Sequence, residues 1–341
     1  MATRSTLGST LFCEIDLDAP GKRHGFLRLP HSTHASAYGF IPIPIGVIVG
    51  GPGPTVMIVA GNHGDEHEGQ VVAGRVMREV VPQHVTGRLI ILPAANFPAA
   101  RAGLRTSPID GGNLNRLFPG DPLGTITQQI AFHITEDLLP RCDAVLDLHS
   151  GGSSLMYAPS ALIRRGDDPA RFAQALALLK AFGAPLSYIV QPGTNGGRTL
   201  SDTAYRAGVL HLGTELGGGG HAGAEAIRVA ERGVAGALRH LGVCDLDWDA
   251  GPPRPPTRIL DLGGPDYYVF APDPGIFQPL AEPGDRVTKD QPAGLIHHTE
   301  TPWRAPTPVH FAIDGIVLVK RWPGMTARGD CLFHLGTETD L

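Results

Sequence analysis

Between Thr55 and Gly242, short apolar runs alternate with longer segments whose apolar residues recur every three or four positions. This rhythm constrains the fold more than any other feature of the 341-residue chain. The runs are TVMIVA (55–60), RLIILP (88–93), AVLDLH (144–149), SYIV (187–190) and GVLHLGTEL (208–216). The intervening helix-like segments cover 68–81, 126–139, 169–182 and 222–241. Strands that alternate with helices predict an α/β fold: a mainly parallel, in part mixed, sheet flanked by helices.

The Pro-rich piece AGPPRPPTR (250–258) breaks the rhythm and predicts a linker between an α/β domain, 1–250, and a β-rich domain, 257–341. In the second region GIFQPLAEPGD (275–285) and GIVLVKRWPGM (315–325) resemble each other, and each is followed by a short apolar run. A duplicated strand-turn-strand unit predicts a small all-β module, similar to the barrel-sandwich fold of biotinyl and lipoyl carriers. No lysine stands where a swinging arm would be attached, so a structural or oligomerising role is expected for it.

Composition narrows the function classes. A net charge of -5 and the lack of a Lys/Arg cluster exclude an electrostatic footprint for nucleic acid. The most apolar region, 38–61, is interrupted by Pro42, Pro44, Pro52 and Pro54 and reads as strands rather than as a membrane span. Cys13, Cys142, Cys244 and Cys331 form no C-x-x-C pair, which suits a reducing compartment. With no apolar core in the first 20 residues to act as a signal peptide, a cytoplasmic protein without membrane partners is expected.

The stretch MIVAGNHGDEHEGQ (57–70) places two histidines and three acids within six residues directly after an apolar run. In an open parallel sheet, ligands bind beyond the carboxyl ends of the strands. His63 and Glu66 follow the first run, His149 ends AVLDLH and Glu215 ends GVLHLGTE, so four chemically capable side chains converge on one sheet edge. Two imidazoles and a carboxylate suit one zinc ion with an open coordination position, which makes His63, Glu66 and His149 the candidate metal ligands. Glu215 is then free to act as general base toward water and general acid toward a leaving amine. The rival pattern H-x-x-E-H (63–67) needs both histidines on one helix face, and Gly61, Gly64 and Gly69 argue for a turn instead. His67 and Glu68 are read as helix-start neighbours, and His84, His133, His211 and His221 as structural residues.

GNHGDEHEG, GNLNRLFPG, DLHSGG and TELGGGG, in that order, resemble the succinylglutamate desuccinylase/aspartoacylase family of zinc deacylases, relatives of the zinc carboxypeptidases. Within the family the chain is most similar to the deacetylases of N-α-acetyl-L-2,4-diaminobutyrate in ectoine breakdown. The resemblance implies the same zinc ligands and the same base, Glu215. It also implies that Asn115 and Arg116 grip the substrate carboxylate and that Arg105 polarises the scissile carbonyl, with Arg101 as a competitor for that role. Such roles are physically sound, since a guanidinium fork pairs bidentately with a carboxylate and a cation stabilises an oxyanion. Arg198 and Asp110 are further substrate candidates, Asp110 for a side-chain ammonium. The aspartoacylase type carries Asp where this chain has Asn113. The resemblance thus implies a hydrolase of a small acylated amino acid with one zinc per subunit, compatible with a homo-oligomer. A metallocarboxypeptidase and a metal-binding or carrier protein without turnover are the alternatives.

Overall fold

A computed structural model describes residues 3–4, 8–191, 194–248 and 255–341. The five apolar runs form the strands Thr55–Ala60, Arg88–Leu92, Ala144–His149, Leu186–Val190 and Leu210–Glu215. Thr55–Ala60 lies between Arg88–Leu92 and Ala144–His149 and is parallel to both, and Leu210–Glu215 adds on in parallel beside Ala144–His149. Burial on both faces explains why these strands read as continuous apolar runs rather than as alternating ones. Helices His67–Glu79, Pro169–Phe182 and Ala224–His240 pack Val72, Leu178, Leu179, Val234 and Leu238 into one core cluster with Ile58, Leu146 and Leu212 of the strands. Helix Ile126–His133 serves a second core cluster, with Leu27, Ile43, Met57 and Val145, and continues as a π-helical turn over Ile134–Leu138.

The sheet is mixed. Gly21–Pro30 and Phe40–Val49 form a long antiparallel pair that joins it through Arg88–Leu92. The short strand Ser160–Arg164 runs antiparallel to Leu210–Glu215 and parallel to Leu186–Val190.

The predicted linker, 250–258, lies mostly outside the described residues. Beyond it, strand Arg258–Asp261 pairs in parallel with Leu186–Val190 and antiparallel with Cys331–Glu338, so hydrogen bonding runs on from the α/β region into the C-terminal β region. There the two similar segments form equivalent antiparallel pairs: Gly275–Pro279 with Pro292–His297, and Gly315–Arg321 with Cys331–Glu338. Their shared core contains Phe277, Phe311 and Phe333. Among the described residues no helix is long and apolar enough to cross a membrane.

Candidate active site

Strand register places the central residues. His149 and Glu215 are direct partners on adjacent parallel strands, and both strands end there. The Thr214 hydroxyl accepts from His149 N at 3.0 Å and fixes the backbone that carries the imidazole. His63 and Glu66 lie in the turn between strand Thr55–Ala60 and helix His67–Glu79, so the helix starts too late to carry the H-x-x-E-H pattern on one face. Gly64 makes this turn feasible: a Cβ there would come within 2.0 Å of the Ala99 carbonyl carbon.

His63, Glu66 and His149 are buried, and each offers one ligand atom within 4.8 Å of the others. His63 Nδ1 lies 2.6 Å from Glu66 Oε1, and His149 Nδ1 lies 2.7 Å from Glu66 Oε2, which also accepts from Ser150 N at 3.2 Å. Burial pushes the Glu66 carboxyl up, but the two imidazoles outweigh it and hold the group at about 2. Burial disfavours charge on His149, yet Asp147 and Glu66 raise it well above the ordinary imidazole value. Asp147 faces His149 Nε2 at 3.2 Å and His211 Nε2 at 3.5 Å; burial opposes its ionisation, and these histidines keep it far below the usual carboxylate range.

Glu215 shows the opposite behaviour. Burial first, then the charge of Glu66, push its carboxyl well above the ordinary range against the pull of His149 and Arg105, and its Oε2 has no hydrogen-bond partner among the described residues. A buried cluster with acids in excess and an orphaned carboxylate oxygen has the charge deficit that a dication would fill. Two imidazoles, one carboxylate and an adjacent unpaired acid fit a catalytic zinc site.

The group opens into a cavity of ≈ 620 Å³, within the size range of small-molecule sites. Arg105, Asn115 and Arg116 line it. Arg105 Nη1 lies 3.6 Å from Glu66 Oε1, and Asn115 Nδ2 lies 3.3 Å from His149 Nε2. Arg116 is half-buried and donates to Asn115 O at 2.8 Å; no carboxylate pairs with it among the described residues. Burial, followed by the nearby charge of Arg105, lowers its guanidinium.

The other candidates lie elsewhere. Asp110 does not line the cavity: its carboxylate accepts from Thr127 N at 2.7 Å, Thr127 Oγ1 at 2.8 Å and Gly112 N at 3.0 Å, so it braces its own loop. Arg198 is exposed and also absent from the lining, and Arg101 borders a different pocket, with Phe40 and Phe97.

Several cavity residues gave no sequence signal. Tyr157 and Tyr188 sit on short strands, and Leu262, Tyr268, Leu318 and His334 come from the C-terminal region, which therefore walls part of the site. His211, read as structural, lines the cavity through its approach to Asp147. Asp65 and Glu68 are buried clamps: Asp65 Oδ2 accepts from Ser153 N and Oγ at 2.8 Å, and Glu68 Oε1 accepts from Gly218 N at 3.1 Å. Gly218, at φ +133°, belongs to the glycine run of TELGGGG; a Cβ there would lie 2.2 Å from Leu155 O.

A sequence profile of the succinylglutamate desuccinylase/aspartoacylase catalytic domain matches residues 52–241. The chain belongs to this family. It is 39% identical over 325 residues to the N-alpha-acetyl-L-2,4-diaminobutyric acid deacetylase of Halomonas elongata, covering 95% of this chain and 94% of that protein. The product-bound structure of the ectoine utilization protein EutE (DoeB) from Ruegeria pomeroyi is 37% identical with a TM-score of 0.91, covering 96% of this chain and 98% of that one. A succinylglutamate desuccinylase/aspartoacylase structure from Rhodobacter sphaeroides is also 37% identical with a TM-score of 0.91, covering 97% and 100%.

Proposed function

We propose that this family member is a zinc-dependent amidohydrolase that removes the acetyl group from N-α-acetyl-L-2,4-diaminobutyrate in ectoine catabolism. The observation that carries the chemistry is the buried His63–Glu66–His149 group with Glu215 directly across the strand pair from His149. The likeness to the Halomonas elongata deacetylase over nearly the full length of both chains supports the substrate.

His63, Glu66 and His149 would hold the zinc, which supplies Lewis-acid polarisation and lowers the pKa of water. Arg116 and Asn115 receive the substrate carboxylate, fixing the amide over the metal ligands. Arg105 offers its guanidinium to the carbonyl oxygen as negative charge develops there. Glu215 takes the proton from the attacking water and passes it to the nitrogen as the C–N bond breaks, releasing acetate and the free amine. Asp147 orients His149 through Nε2, and its bond with the imidazole keeps Nδ1 directed at Glu66. The C-terminal residues Tyr268, Leu318 and His334 narrow the cavity to small substrates, which favours an acylated amino acid over a peptide chain.

The test is acetate release from N-α-acetyl-L-2,4-diaminobutyrate by zinc-loaded protein, beside N-acetylaspartate, N-succinylglutamate and chelator-treated enzyme. Turnover of the diaminobutyrate compound that is lost on chelation and restored by zinc is the expected result. Turnover of another acylamino acid alone would move the substrate, and silence on all three would sink the deacylase reading.

A further inference from the structure

The two histidines of the metal group are held from behind by different chemistry. His149 Nε2 faces the carboxylate of Asp147 at 3.2 Å, whereas His63 Nε2 lies 3.1 Å from Oδ1 of Asn113, a neutral amide. Both Nδ1 atoms point at Glu66. An imidazole that ligates through Nδ1 must carry its proton on Nε2, and that N–H needs an acceptor to fix the tautomer and the ring plane.

Asn113 stands immediately before the turn Leu114–Arg116, and its carbonyl accepts from Arg116 N at 3.0 Å. The same turn brings Asn115 Nδ2 to 3.3 Å from His149 Nε2, while Asn115 Oδ1 accepts from Leu200 N at 2.9 Å. One short segment thus touches both histidines from behind and also carries the arginine that lines the cavity. Glu66, Asp147 and Glu215 already bring three buried carboxylates to the cluster. A fourth, in the place of Asn113, would add desolvation cost and make His63 a stronger donor.

We infer that Asn113 is a positioning residue for the metal: its amide oxygen holds His63 in the Nε2–H form, and its neutrality leaves the metal less tightly bound and more acidic than a carboxylate partner would. The inference rests on the zinc reading of the same site. A neutral partner in this place exchanges metal affinity for polarising power.

The test measures zinc affinity by chelator competition for the wild type, Asn113→Ala and Asn113→Asp, with long-range ¹H–¹⁵N spectra of the histidine rings in the zinc-loaded proteins. Asn113→Ala is expected to weaken zinc binding by about 10- to 100-fold and to loosen the His63 tautomer. Asn113→Asp, nearly identical in shape, is expected to bind zinc about tenfold more tightly than the wild type, with a lower kcat. Affinity of Asn113→Ala within about twofold of the wild type would overturn the positioning role, since outer partners of this kind contribute about tenfold or more. If Asn113→Ala does not fold, Asn113→Asp decides alone, and weaker binding by it would overturn the inference. Failure of the wild type itself to bind zinc would remove the zinc reading, an outcome distinct from unchanged affinity in the variants.

Discussion

The half of the site proposed to bind metal and the half proposed to face the substrate are built on different principles. His63, Glu66 and His149 are buried and locked by mutual contacts of 2.6–2.7 Å, at the ends of strands whose register is set by the core. Arg105, by contrast, leaves 44% of its side chain exposed and meets Glu66 only at 3.6 Å, and the half-buried Arg116 has no carboxylate partner among the described residues. The first group is organised before a ligand arrives. The second holds unspent donors, and its ordering cost falls due on binding.

This difference predicts two kinds of kinetic failure. Glu215→Gln removes the proposed base without touching a proposed ligand, so zinc content should remain at the wild-type level while kcat falls by about 10³-fold, within the range for general acid–base groups. Metal analysis beside steady-state kinetics checks both, and unchanged turnover would take Glu215 out of the mechanism. Arg116→Ala should act on the other half, raising KM by about 100-fold with kcat largely spared, as expected when binding shared by ground and transition states is lost. A fall in kcat with KM intact would break the division of labour.

The same division explains what could be read in the sequence. His149 and Glu215 terminate apolar strands, and the strand rule alone brings them to one edge, next to the turn that carries His63 and Glu66. The main parallel strands and the flanking helices were equally legible, because burial on both faces writes itself as continuous apolar runs. Ser160–Arg164 was not, since a five-residue strand paired by tertiary context carries no period of its own. Asp110 looked like a free acid only because the sequence does not show that Thr127 and Gly112 saturate it. The wall formed by Tyr268, Leu318 and His334 depends on how the C-terminal strands join the sheet, which no local pattern encodes.

A third prediction compares an imidazole held by close carboxylates with imidazoles in which burial wins. Asp147 and Glu66 raise His149, whereas burial pushes His133 and His334 down to about 4: His133 Nε2 meets the Asp137 carboxylate only at 3.5 Å, which burial outweighs, and His334 Nε2 has no hydrogen-bond partner among the described residues. For His133 and His334 the unfolded chain binds a proton near 6.5 and the native state only near 4. Their stabilising contribution is therefore complete above about pH 6.5 and is lost as the pH falls toward 4. Between pH 7 and pH 5 each should cost about 1–2 kcal/mol of unfolding free energy. Urea midpoints at the two pH values, for the wild type and His334→Gln, check this; equal pH sensitivity in both proteins would clear His334 of the effect.

The smallest expected effect is the sharpest test of where the substrate-facing half ends. Arg198 has the right chemistry for a carboxylate, and the sequence offers it beside Arg105 and Arg116. Its side chain is exposed and does not line the cavity that contains Glu66 and Glu215. An exposed cation outside the cavity acts on an anionic substrate only through screened, long-range attraction, which fades within about 10 Å at 0.1 M salt. Arg198→Ala should therefore change kcat/KM by no more than about twofold, and that remnant should vanish as ionic strength rises. If the variant instead loses activity as deeply as Arg116→Ala and independently of salt, Arg198 must reach the bound substrate, and the loop that carries it would have to close over the cavity during turnover.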